Sequence, residues 1–397
     1  GEPSVASNGD QILFTGNWYA SRSLDRGASW AHISPFTFLP AVDGGFCCDQ
    51  TVIYEPSRDM IIWLLQYIEA GGTNTLRLAV KKGPTLGNNS WYWYDFKPEQ
   101  VNSGWAGEWF DYNHAALSDN FLYVGTNAFS ASANSFRRSI IFRFPLGPIA
   151  DGTGFNFNYY DTNQNGSLRC TQGARGTMYF ASHNNLAQIR LFEWPETSAN
   201  LTIYDIDVRQ WTAGAYSAPV NGAGNWLSRA DPRITAGFVG GGRIGFMWTA
   251  NSDNNHPLPY VRVVRIDEQS KQLVDEPDIW NPNFAFAYPD ATPNDRGQTG
   301  VTLALGGGQF NPSHVVGIRA DNDAVWRLVF SATGSHTPSR PMWGDYLTCR
   351  RKSPDGLTWV AAGYTLQGGT AQSDVEPRFV HFGRRANRDS TNRWFGV

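Results

Sequence analysis

The chain of 397 residues carries a net charge of −3, and only 17% of its residues are charged, which argues against a nucleic-acid partner. No apolar run approaches the ~20 residues of a membrane span. With 41 Gly, 22 Pro, 16 Trp and 14% aromatics, the composition suits short strands, tight turns and stacking surfaces. The sequence opens on GEPS without Met, so the expectation is that an upstream segment such as a signal peptide has been removed and that the protein is secreted.

In chain order, the first unit is EPSVASNGDQILFTGNWYA, two strand-like runs around a polar turn. SRSLDRGASW follows, with Asp25 two residues before Gly27 and Trp30 closing the stretch. Asp in this place accepts backbone N–H bonds and Gly supplies positive φ, so the stretch is expected to be a hairpin turn with the Trp30 ring buried beneath the next strand. The same strand–turn–strand shape returns from Asp49 (DQTVIYEPSRDMIIWLLQYI), Asp111 (DYNHAALSDNFLYVGTNAF), Ser167 (SLRCTQGARGTMYFASHNN), Asp231 (DPRITAGFVGGGRIGFMWTA), Asp290 in a looser version, and Asp345 (DYLTCRRKSPDGLTWVAAGYTL). These starts lie roughly sixty residues apart, room for four strands each. The expected fold is all-β, a seven-bladed β-propeller forming a single domain over 1–397, with six blades as the alternative and the chain ends sharing one blade.

SRSLDRGASW resembles the Asp box, the S-x-D-x-G-x-[ST]-W turn of bacterial-neuraminidase-repeat (sialidase-like) propellers, and WGDYLTCRRKSPDGLTW adds to the likeness. In that group the Asp box joins the third and fourth strands of a blade, away from the active site, so the resemblance implies that Asp25 and Trp30 lie remote from any ligand. KSPDGLTW is one residue short of the pattern and reads as an ordinary hairpin turn. The chain departs from true sialidases. It has no R-I-P motif near its start, only the rearranged ADPRI around Arg233, and no Glu stands beside a channel Tyr. The expectation is a sialidase-like fold without sialidase chemistry.

In a propeller the innermost strands line a channel, and alignment of the units gathers their starts at one mouth. Asp49, Asp111, Asp231 and Asp345 fall at matching positions, with Asp290 possible among them, and Arg169 and Arg233 come two residues along. The candidate catalytic set is Asp111, Tyr112, His114, Arg169, Arg233, Asp345 and Tyr346. Trp105, Trp109, Arg229 and Trp343 are candidates for holding substrate. Paired carboxylates suit glycoside hydrolysis. Tyr, His and Arg suit a polysaccharide lyase, the Arg neutralising a uronate. Asp49 and Asp231 are candidate ligands for Ca²⁺, which prefers oxygen. The expected partner is a carbohydrate, most simply an acidic one. The alternatives are a propeller that only binds glycan or protein, and a structural extracellular protein with bound Ca²⁺.

Cys47, Cys48, Cys170 and Cys349 lack zinc spacing. Consecutive strand residues point to opposite faces, so Cys47 and Cys48 are expected as buried small hydrophobes, a disulfide between them being the alternative. The aromatic stretch NNSWYWYDF is expected to serve blade packing. Asn88, Asn165 and Asn200 open glycosylation-type patterns.

Overall fold

The computed structural model describes residues 1–83, 86–87, 90–340, 342–385 and 395–396, the last pair by backbone alone. Seven four-stranded sheets follow one another along the chain, each built from one continuous stretch with its strands in sequence order. They span 4–33, 46–96, 108–162, 169–207, 234–275, 285–332 and 348–396. The first strand of each sheet touches the first strand of the next: Ser4–Ser7, Phe46–Glu55, Glu108–Leu117, Arg169–Cys170, Ile234–Gly240, Ala285–Pro293 and Thr348–Arg351 make a closed ring. The protein is a seven-bladed β-propeller, and the six-bladed alternative falls.

Blade faces pack against neighbouring blades on both sides, so middle strands lose the polar alternation of a half-exposed sheet. All eight residues of Met60–Tyr67, MIIWLLQY, are buried. Trp63, Trp194, Trp248 and Trp359 fill the spaces between blades and are buried completely or nearly so. Phe96 stacks on Phe144 with ring centroids 4.7 Å apart, joining the second and third blades, and Tyr92 donates to the Ile149 carbonyl across the same seam. The aromatic stretch before Pro98 thus serves packing. Among the described residues no helix is long and apolar enough to cross a membrane.

The expected shared closing blade is absent. The first blade is complete within 4–33, and the last takes its outer strand, Phe395–Gly396, parallel to Val375–Gly383. With four strands supplied locally at each end, closure rests on packing of Val5, Ile12 and Phe14 against Val360 and Ala362, and on a hydrogen bond from Thr348 to the Pro3 carbonyl.

Asp25 sits in the turn between Ala20–Ser23 and Ala31–Ile33, the third and fourth strands of the first blade. Its carboxylate accepts from the Ser29 amide (2.8 Å) and hydroxyl (2.6 Å) and from Ser23 (2.8 Å), and these bonds hold its pKa down at about 2. Trp30 departs from expectation. It stays 40% exposed, its edge meeting Phe14 and Phe379, because the first blade is too narrow to cover it. Asp355 caps a turn between the first two strands of the last blade through Leu357 and Thr358, an ordinary hairpin. Of the glycosylation-type asparagines, Asn165 is buried, Asn200 is exposed, and Asn88 lies outside the described residues.

Candidate functional site

The innermost strands are irregular where they approach one mouth of the channel. In the third blade Asn127 faces Asp111 and Gly125 faces His114, so Tyr112 and Asn113 share one partner position. Tyr288 and Pro289 do the same in the sixth. Both tyrosines take positive φ, 59° and 57°, which costs an aromatic residue ~1–3 kcal/mol and persists only where surroundings impose it. In the second blade the pairs Phe46–Tyr67 and Gln50–Leu65 leave Cys47, Cys48 and Asp49 opposite Gln66 alone. These bulges turn side chains out of the strand alternation and toward the axis.

They open onto a cavity of about 720 Å³, within the ~300–1,000 Å³ usual for small-molecule sites. Asp49, Asp111, Tyr112, Arg233 and Asp345 line its depth, and Trp109, Arg229 and Trp343 its walls. Arg233 pairs with Asp231 and reaches Asp345 at 3.6 Å, and Arg229 holds Asp345 at 3.2 Å. Asp111 accepts from Gln66 Nε2 at 2.9 Å through one oxygen, and its other oxygen has no hydrogen-bond partner among the described residues. Asp49 accepts no side-chain hydrogen bond there at all.

Burial sets the protonation. The Asp49 carboxyl is held well above the ordinary range by desolvation, with Glu2, Asp111 and Asp345 adding repulsion. Glu2 is raised for the same first reason. Burial pushes Tyr112 up to about 12 despite Arg233, and raises Tyr346 well above a normal phenol. Burial opposes the Arg233 charge, yet Tyr112, Asp231 and Asp345 outweigh it and its pKa rises. Desolvation thus favours the protonated forms of Asp49 and Glu2, beside an Asp345 carboxylate paired with Arg229 and Arg233.

Not every candidate from the sequence reaches this cavity. Arg169 lies deeper in the channel, where Asp290 accepts from it at 3.1 Å and from Arg350 at 2.9 Å. Asp290 occupies the place of His114, not of Asp111: Tyr288 and Pro289 bulge as Tyr112 and Asn113 do, which matches Ala287 with Asp111 and Asp290 with His114. His114 is buried there too. Its Nε2 accepts from the Cys170 amide at 3.2 Å, and burial beside Arg169 and Arg350 keeps it neutral. Tyr346 lies beneath the floor, edge-on to Tyr112 at 6.3 Å. Trp105 is buried away from the mouth, against Tyr159 and under the Arg138 guanidinium. Asp231 stands behind Arg233.

Several residues of the cavity were not among the site candidates read from the sequence. Glu2 lines it and accepts from Asn17, Trp18 stands 47% exposed at its rim, and Arg340 is exposed beside it. The signal for Glu2 was an acidic residue just ahead of a first strand, as with Asp231 and Asp345; Trp18 comes from the turn between the second and third strands of the first blade, and Arg340 from the segment joining the sixth and seventh blades. Among the described residues no group of three or more His, Cys, Asp or Glu is arranged to hold a metal ion, and Asp231 spends its carboxylate on Arg233. Cys47 and Cys48 are not buried hydrophobes. They form a disulfide, Cα atoms 3.7 Å apart, within the bulge and at the cavity wall. Cys170 and Cys349 are free and buried as expected.

A larger cleft of about 880 Å³ separates the first and last blades beside Asp25 and Trp30. Its charges are paired outward, Arg26 with Asp10, Lys352 with Asp355 and Arg378 with Glu376, and no buried acid faces it. The channel-mouth cavity is the one with convergent chemistry.

No family model and no curated protein matches the chain. Among solved structures it is similar to an α-L-arabinanase of Penicillium chrysogenum complexed with arabinobiose (TM-score 0.46, 10% identity, 84% of this chain and 92% of that one). It is also similar to an α-L-arabinofuranosidase of Fusarium graminearum (TM-score 0.43, 10% identity, 95% and 92%) and to the NanB sialidase of Streptococcus pneumoniae (TM-score 0.43, 11% identity, 76% and 64%).

Proposed function

We propose that the protein is a secreted glycoside hydrolase that cleaves an acidic glycan in the channel-mouth cavity. The observation that carries this reading is the contrast between Asp49, whose protonated form desolvation favours, and Asp111, whose free oxygen faces the same cavity. Asp49 protonates the glycosidic oxygen as the bond to the anomeric carbon breaks. Asp111 acts from the other side as base toward water or as nucleophile. Asp345, clamped by Arg229 and Arg233, supplies fixed negative charge near the developing oxocarbenium ion. Trp109 offers a partly exposed ring to a sugar, and Trp343, stacked on Tyr364 at 4.5 Å, backs the wall. Arg169 is spent on Asp290, so a glycan carboxylate falls to Arg229, about half exposed, and to Arg340, which pairs with no carboxylate among the described residues. The disulfide supports export, since such bonds persist in oxidising surroundings.

The lyase alternative is weaker on two counts. Tyr112, the phenol in the cavity, is pushed up to about 12, the wrong direction for a base, and His114 points into the channel below. Digestion of a panel of uronate-containing and neutral glycans tests the reading. New reducing ends without ultraviolet absorbance support hydrolysis. Absorbance of an unsaturated uronate would assign a lyase, and no cleavage with retained binding would leave a lectin-like propeller.

A further inference from the structure

The Cys47–Cys48 bond lies immediately before Asp49, and all three residues share the bulge opposite Gln66. Gln66 is itself fixed from the far side. Its Nε2 donates to Asp111, and its Oε1 accepts from Asn113 Nδ2 at 2.9 Å. The bulge therefore faces a rigid partner that also holds the second carboxylate. Consecutive residues of a regular strand direct their side chains to opposite faces, so sulfurs of neighbours meet only where the strand alternation is broken. Joining them closes a small ring and removes most of the backbone freedom of the residue pair. Asp49 needs that restraint, because no side-chain hydrogen bond of its own fixes it.

We infer that the Cys47–Cys48 disulfide is a positioning element for Asp49: it locks the bulge that aims the acid into the cavity, and the protein works only in its oxidised form. The inference rests on Asp49 being the acid of the proposed hydrolysis. Both cysteines are half-buried and line the cavity, so a small dithiol reaches them. Dithiothreitol thiolate attacks one sulfur and the other leaves as thiolate; the reagent's second thiolate then attacks its own first sulfur in the mixed disulfide, and the remaining protein sulfur leaves as thiolate. The products are two protein thiols and cyclic oxidised dithiothreitol, two electrons and two protons having passed to the protein. Cys170 and Cys349 stay out of the exchange, since burial raises both thiols.

The groups facing Asp49 are Glu2, Asp111, Asp345, Arg233, Tyr346 and the Gly1 amino group. All but Arg233 and the Gly1 amino group are acids, so a loosened bulge lets the Asp49 carboxyl turn toward water and away from them. Its pKa then falls toward the ordinary range. A general acid works only while protonated, so the alkaline limb of the kcat profile moves to lower pH.

The test compares oxidised protein with protein reduced by dithiothreitol, thiol titration confirming that two thiols have become four. The expected result is a tenfold or larger fall in kcat, little change in KM, and an alkaline limb displaced to lower pH. In Asp49→Asn, assayed on an aryl glycoside whose leaving group departs without protonation, the same reduction should leave the rate within twofold, and a tenfold loss there would overturn the inference. A second readout needs no substrate. Carboxyl-carbon NMR of Asp49 should titrate at lower pH in the reduced protein and in a Cys47→Ser/Cys48→Ser variant whose circular dichroism matches the parent. An unchanged midpoint in fully reduced, folded protein overturns the inference whether or not any glycan is cleaved. A changed midpoint with no glycan cleaved would instead fail the hydrolase reading alone.

Discussion

Arg233 lies over Tyr112, its guanidinium carbon 3.8 Å from the ring centroid, while the same group pairs with Asp231 and Asp345. Side chains from the third, fifth and seventh blades thus meet at one cation. A planar guanidinium does this and an ammonium does not, because it stacks and donates in its plane together. Arg233→Ala is expected to lower kcat/KM by about 100-fold, the scale of losing a preorganised electrostatic partner. Arg233→Lys should recover little of it. Full recovery by Lys in steady-state kinetics would mean that only the charge matters there.

Asp49→Asn separates stability from turnover. The folded-state pKa of Asp49 lies above its unfolded value, so the native protein retains a proton that the unfolded chain releases. The stability tied to that proton is present in full below the ordinary Asp range and is lost as pH rises toward the raised value. Wild type should therefore lose melting temperature over this window more steeply than Asp49→Asn. At neutral pH the variant should melt a few degrees higher while its glycan turnover is lost. Parallel pH dependences in calorimetry would show that Asp49 is not held protonated.

The Arg169–Asp290–Arg350 group below the cavity is expected to serve stability rather than turnover. Asp290 is buried between two buried guanidiniums, and it also accepts from the Cys349 amide at 2.8 Å. Asp290→Ala strands both cations and should cost ~3–5 kcal/mol in denaturant unfolding. Arg169→Met removes one cation and leaves Asp290 paired with Arg350, so it should lower stability less and keep kcat within about twofold per folded molecule, a margin of less than ~0.5 kcal/mol in barrier height. A large kcat loss in folded Arg169→Met would return Arg169 to the reacting site.

Arg340 offers a test of substrate charge. Arg340→Ala should raise KM for uronate-bearing glycans by roughly 5–10-fold, in line with a partly exposed charged hydrogen bond, and leave neutral glycans unaffected. The difference should shrink with added salt. Equal effects on both substrate classes would remove the acidic-sugar specificity.

Much of this site was legible because the repeat carries chemistry at one point of each unit. Asp49, Asp111 and Asp345 stand at the mouth ends of the inner strands of the second, third and seventh blades, and ring closure alone brings such positions to one mouth. Asp290 shows the limit of that logic. Its strand bulges at Tyr288 as the third blade's does at Tyr112, so Asp290 follows the bulge at the level of His114 and Ala287 holds the place of Asp111. The disulfide escaped for a related reason, since strict alternation forbids a bond that a bulge allows. Glu2 stands two residues ahead of its first strand, in a unit that opens on Glu where the others align on Asp, so a row of aspartates passed it over. Trp105 was placed by sequence distance from Asp111, whereas a short 3₁₀ turn at Ser103–Trp105 folds it under the third blade's outer strand.

The division of labour between Asp49 and Asp111 is tested most directly with leaving groups. Asp49→Asn and Asp111→Asn should be compared on a natural glycan and on an aryl glycoside of the same sugar carrying a dinitrophenyl group, which departs without protonation. Asp49→Asn should be inactive on the glycan yet cleave the aryl glycoside at a rate near that of wild type, while Asp111→Asn should be inactive on both. Wild-type cleavage of the glycan by Asp49→Asn, or identical loss on both substrates in the two folded variants, would contradict an acid at Asp49 and a base or nucleophile at Asp111.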